Sequence, residues 1–263
     1  MGIDINSDIL AQLELDSIKI NLNLDKKPKF TDSKFGGVPY WDKNKEYPLD
    51  EYGNKMYLLA QINFEKESLM EPLPNKGLLQ FFISKEKDYD FEEYKVIYHE
   101  NIDYSITIND IEEMNLPNSV NKIDGCYPTP IYGEFALSFE KEKSLMAPND
   151  NRLKKIVIDS MKKLPNKYDN NVLEDKLDLF NDYLYDSHDE IKYRKSRMLG
   201  YHFFIQSDER PDDYILLLQI DSEYDNKNIN IMWGDCGICN FFIKKEDLKN
   251  LNFENVVFYW DCY

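Results

Sequence analysis

Cys236-Gly-Ile-Cys239 has the spacing of half a zinc site or of a thiol redox pair. Zinc needs two further ligands, for which Cys126, Cys262 and His202 are the available residues, and there is no second Cys-x-x-Cys. A redox pair ordinarily opens a helix, whereas this one enters an apolar, strand-like run. The pair is therefore read as structural thiols, with zinc at Cys236 and Cys239 as the alternative. Just upstream, Trp233-Gly-Asp235 sets an aromatic plate beside a carboxylate, chemistry that suits a sugar or a cationic side chain. The competing reading has Asp235 bracing a turn while Trp233 fills the core. The adjacent carboxylates Glu92-Glu93, Glu112-Glu113 and Asp212-Asp213 read as solvated surface, because a glycosidase needs two carboxyls facing each other across a cleft. His99, His188 and His202 stand alone, with neither His-Glu-x-x-His nor Gly-x-Ser-x-Gly. No catalytic residue and no cofactor are assigned.

The elements that must carry these residues are mostly strands. Period-two or continuous apolar runs predict strands over 18–24, 56–62, 77–84, 94–98, 104–108, 133–139, 199–205, 214–220, 229–233, 237–243 and 256–260. Helical spacing appears near Ser7, after Asp110, over 149–164, 172–184 and 188–195, and over 244–250. Ser33-Lys-Phe-Gly-Gly-Val-Pro-Tyr-Trp41 is read as a turn, since it lacks the phosphate-loop spacing and no helix follows it.

Three landmarks recur in order. Ser33-Lys34-x-x-Gly37 matches Ser196-Arg197-x-x-Gly200, and Leu58–Asn63 matches Leu216–Asp221. Gly77-Leu-Leu-Gln-Phe81-Phe-Ile83 matches Gly237-Ile-Cys-Asn-Phe241-Phe-Ile243. The expected fold class is therefore α+β, with mostly antiparallel sheets from an internal duplication: two pseudo-symmetric halves and a helical insertion between them. The whole of 1–263 is read as one domain, with half one at about 25–140, the insertion at about 149–195 and half two at about 196–263. Gln61 and Gln219 each interrupt an apolar strand, where a buried amide must find partners. Each either ties a neighbouring loop to its sheet or meets the other in a shared cleft.

Composition bounds the partners. The apolar fraction of 42% with 14% aromatics describes a folded globule. A net charge of −17 repels nucleic acid and anionic membrane and attracts a basic protein or a cation; the plainer reading is that the acidity only keeps the protein in solution. With no signal peptide and no apolar run of spanning length, the chain is expected to be cytoplasmic, with reduced thiols.

The landmarks at 33–41, 58–63, 73–83, 216–221 and 232–237 together resemble the bacterial YwqG-like family, a domain of unknown function. The resemblance implies a duplicated, mostly antiparallel protein without an established activity. Through some members found beside polymorphic toxin genes, it also implies an immunity or partner-binding role. The functional expectation is a non-enzymatic acidic protein that engages a basic protein partner, with toxin immunity as one form. The alternative is an enzyme or small-ligand binder whose cleft between the halves is lined by Tyr40, Trp41, Gln61, Gln219, Trp233 and Asp235.

Overall fold

In the computed structural model, residues 12–85, 91, 93–162, 192–225 and 228–263 are described. Ten strands form one antiparallel sheet. They are β1 (Glu14–Asn23), β2 (Lys34–Gly36), β3 (Tyr57–Asn63), β4 (Leu78–Ile83), β5 (Tyr94–His99), β6 (Glu134–Leu145), β7 (Arg197–Met198), β8 (Tyr214–Asp221), β11 (Ile238–Lys244) and β12 (Val257–Asp261). Their spatial order is β12-β11-β8-β7-β1-β6-β2-β3-β4-β5. A separate hairpin pairs β9 (Glu223–Tyr224) with β10 (Ile229–Ile231). The helices among the described residues are short: α1 (Ile108–Glu113), α2 (Leu153–Lys162) and α3 (Lys245–Lys249).

This corrects the expected α+β class and its pair of pseudo-symmetric sheet halves. β1 runs against β6 over its whole length, from Glu14 opposite Leu145 to Asn23 opposite Ala136. Its other edge takes β7, and the far edge of β6 takes β2. That ladder fuses the strands of both sequence halves into a single, mostly β layer. Of the expected helical insertion only α2 lies among the described residues. The expected helices near Ser7 and over 172–184, and residues 188–191 of the one over 188–195, fall outside them, while 192–195 form no α-helix.

The sheet rolls until its edge strands face each other, an almost closed barrel. Phe81 on β4 and Phe241 on β11 meet inside with ring centroids 4.8 Å apart. At the rim Tyr94 of β5 lies 5.3 Å from Phe258 of β12 and donates to the Val256 carbonyl at 3.1 Å. Because side chains alternate along a strand, Phe81 and Phe241 point inward while Phe82 and Phe242 point out. The inner residues share one core with Leu59, Ile62, Leu217 and Ile220. Phe82 packs under Tyr40, Trp41 and α1, and Phe242 under Phe204.

The recurring glycines have a steric cause. A Cβ on Gly77 would sit 2.4 Å from the His99 carbonyl, and one on Gly237 would sit 2.1 Å from that of Asp261. In both places the neighbouring edge strand passes too close for any side chain.

Two sequence expectations fail locally. Residues 104–108 form a turn leading into α1, whose N-cap is Thr107; Asp110 returns its carboxylate to the Thr107 amide, completing a capping box. Residues 199–205 are irregular, because Leu199 and Gly200 take φ of 60° and 74°, which ends the ladder after Met198.

Candidate functional site

The six residues nominated from sequence do not converge. Tyr40, Trp41 and Gln61 lie together on the outer face of the sheet, all buried. The Gln61 amide oxygen accepts from the Tyr40 N–H at 3.0 Å and from Gln80 at 2.8 Å, and its NH2 donates to the Phe30 and Asp32 carbonyls. Gln80 also donates to the Tyr40 carbonyl and bonds His99 Nε2 at 2.9 Å. Gln219 does the same work elsewhere. Its oxygen accepts from Phe203 N–H at 2.8 Å, and its NH2 donates to the Tyr193 and Lys195 carbonyls. Each glutamine therefore ties loops to its own stretch of sheet, and the two share no partner.

Trp233 is fully buried in the inner core against Phe91, Phe258 and Trp260, and its indole N–H has no acceptor among the described residues. Asp235 is exposed, so the aromatic plate and the carboxylate point apart. Cys239 is wholly buried, which pushes its thiol up, away from the reactive thiolate. Cys236 sits in the left-handed region at φ 54°, its carbonyl taken by Arg194. Neither cysteine joins the metal-type cluster found among the described residues.

That cluster is Asp150, His202 and Asp208, whose ligand atoms lie within 4.8 Å of one another. Its groups are already engaged. Arg152 clasps Asp150 through both oxygens, and His202 Nε2 lies 3.1 Å from Asp208. Asp208 also accepts the amides of Asn151 and Arg210. The His202 bond and those amides hold its carboxyl down to about 2 despite burial. The arrangement locks the 202–210 loop onto the start of α2; to take a cation it would have to release Arg152.

A more open arrangement lies where β1 passes the β9–β10 hairpin. A groove of about 470 Å³ is lined by Leu22 and Leu24 on the β1 side and by Arg194, Ser196, Asp221 and Glu223. The backbone positions these groups through Ser196. Its hydroxyl accepts from the Asp221 N–H at 3.1 Å and donates to Glu223 Oε1 at 2.9 Å. Ser33 accepts from Asn63 N–H in the matching landmark, which accounts for a serine at both places. Arg194 bonds Asp221 through two nitrogens, at 2.9 and 3.2 Å, and the Cys236 carbonyl at 2.5 Å. Burial, with the Asp221 charge adding to it, pushes the Glu223 carboxyl up to about 7 despite the Ser196 hydrogen bond and Lys19. At neutral pH this group therefore stands near half protonation, able to give or accept a proton.

Glu223 and His99 work against each other in the pH dependence of stability. Folded Glu223 keeps a proton that a glutamate of ordinary pKa 4.5 has lost, so its contribution falls as pH rises from 4.5 to about 7. Burial first, then Lys45, lowers His99 from 6.5 to about 4, so stability falls as pH drops through that window. Glu223→Gln should therefore gain stability relative to the parent as pH rises from 5 to 7.5, on the order of 2 kcal/mol after allowing for solvent screening. Urea unfolding at stepped pH checks this; a difference that stays flat with pH contradicts it.

Sequence reasoning reached Ser196 and Asp221 through the landmarks but missed Glu223. A carboxylate on a two-residue strand carries no motif, and only the path of β1 encloses it.

The sequence model of one protein family, described as a domain of unknown function (DUF1963), matches residues 33–262. No curated protein matches the chain.

Proposed function

Since the chain belongs to the DUF1963 family, a domain of unknown function, we propose that it is a non-enzymatic, cytoplasmic, YwqG-like binding protein whose acidic surface engages a basic protein. The observation that carries the reading is the net charge of −17. A charge of this size steers an oppositely charged partner and deters anions. The disposition of the arginines supports it. Arg152, Arg194, Arg197 and Arg210 are each spent on internal carboxylates or carbonyls. The side chain best suited to gripping phosphate is thus turned inward. In the immunity form of this reading the partner is a basic toxin.

The test is co-purification from the native cell, followed by affinity measurement on the isolated pair across salt concentrations. The partner should be basic, and its affinity should fall at least tenfold between low and physiological ionic strength as surface charges are screened. A neutral or acidic partner, or a salt-independent affinity, refutes the reading.

One observation favours a second reading, small-ligand or enzymatic. A carboxyl titrating near 7 in an open groove is placed for general acid–base work. Its residues would be Glu223 and Ser196, in place of the cleft expected from sequence.

A further inference from the structure

We infer that the groove beside Glu223 is the seat for a basic side chain of the partner protein, its cationic head against the Glu223 carboxylate and its aliphatic stem along Leu22 and Leu24. The inference rests on the basic-partner reading above and gives that partner a place to dock.

The volume of about 470 Å³ accommodates a lysine or arginine side chain with its hydration. Within the groove the charges are unequally satisfied. Arg194 is held by Asp221, and Lys195 by Glu142 at 3.2 Å. Glu223 has only the Ser196 hydroxyl and no ion pair among the described residues. Asn230 lines the same groove at 8% exposure, and its side chain makes no hydrogen bond among the described residues. A half-buried carboxyl without an ion pair, and an amide whose side chain has no partner among the described residues, are both free to receive N–H donors. The lining carries Lys19, Arg194 and Lys195 as well as Asp221, Glu223 and Asp225, and two of these three cations are already paired inside the protein. The apolar wall suits the stem of a long basic side chain, whose head reaches the polar end.

Docking of this kind moves a proton. The groups facing Glu223 are Lys19 on β1, the Arg194–Ser196 segment, Asp221 at the end of β8, and Tyr224 and Asp225 beside it on the hairpin. None of the cations among them pairs with Glu223. A guanidinium seated there favours the ionised carboxyl, so Glu223 releases its proton to solvent as the cation arrives. Affinity therefore rises with pH across neutrality.

The probe is a hexa-arginine peptide, with its hexa-citrulline counterpart, titrated calorimetrically into the full chain in buffers of different ionisation heat. The parent should bind hexa-arginine but not hexa-citrulline, with proton release near pH 7. Glu223→Gln should weaken binding about tenfold, equivalent to about 1.4 kcal/mol, and abolish the proton release. Glu112→Gln, which removes an exposed carboxylate on α1, should change affinity less than about twofold, as expected of a screened surface charge. Matching thermal unfolding of the variants guards against misfolding, and proton release by the parent needs no variant. If both variants weaken binding equally and no proton moves, the seat is wrong and the acidic-surface reading survives. If hexa-arginine fails to bind the parent even at low salt, the acidic-surface reading itself falls.

Discussion

Truncating Phe241 to alanine should lower the free energy of unfolding by about 3–5 kcal/mol, the usual range for a buried phenylalanine that leaves a cavity. The ring is fully buried, 4.8 Å from both Phe81 and Phe258 and 6.2 Å from Tyr94. These contacts span both ends of the rolled sheet, so the loss falls where the barrel closes without a hydrogen-bonded ladder between β5 and β12. Phe81→Ala should behave alike, and the double variant should lose less than the sum, because the second truncation enlarges a cavity the first has opened. Urea unfolding of the four proteins checks both points. Losses of under about 1 kcal/mol would show that the inner face does not hold the roll together.

The second large effect lies on the outer face. Gln219→Leu should lose about 3–4 kcal/mol despite its similar volume, because the Phe203 N–H and the Tyr193 and Lys195 carbonyls lose their partner in a dry setting. Gln219→Glu separates hydrogen bonding from size. The ionised carboxylate keeps the Phe203 N–H but faces two carbonyl oxygens, whereas the protonated acid can donate to one of them. That variant should be markedly unstable at pH 8 and recover part of the loss near pH 5. A Leu variant as stable as the parent would mean that these loops hold themselves in place without the glutamine.

Much of this was legible in the sequence, and the limits are physical. Continuous apolar runs located β3, β4, β8 and β11 to within a residue or two, because a strand with both faces covered must be apolar on both. A lone glutamine in such a strand announced a tie to backbone, since a buried amide has few other ways to be satisfied. Sheet membership was not legible. β6 was expected to stop at Phe139, yet it continues through the charged run Glu140–Lys143 to Leu145, because each of those residues stands opposite one of β1. Ladder pairing across more than a hundred residues leaves no local pattern. The same blindness affected the site. Trp233 and Asp235 are two residues apart and were open to two readings, a plate beside a carboxylate or a core ring beside a turn residue; Trp233 turns into the core and Asp235 to solvent, and nothing local in the sequence decides between them. Glu223 looks like any surface glutamate until β1 and the β9–β10 hairpin enclose it.

The most direct measurement is the titration of the Glu223 side-chain carboxyl by carbon NMR, assigned by comparison with Glu223→Gln, with and without hexa-arginine. In the free protein the midpoint should lie near 7, and the peptide should draw it down toward the ordinary glutamate value of 4.5. A midpoint already near 4.5 in the free protein, unmoved by the peptide, would contradict both the enclosed carboxyl and the cation seat built on it.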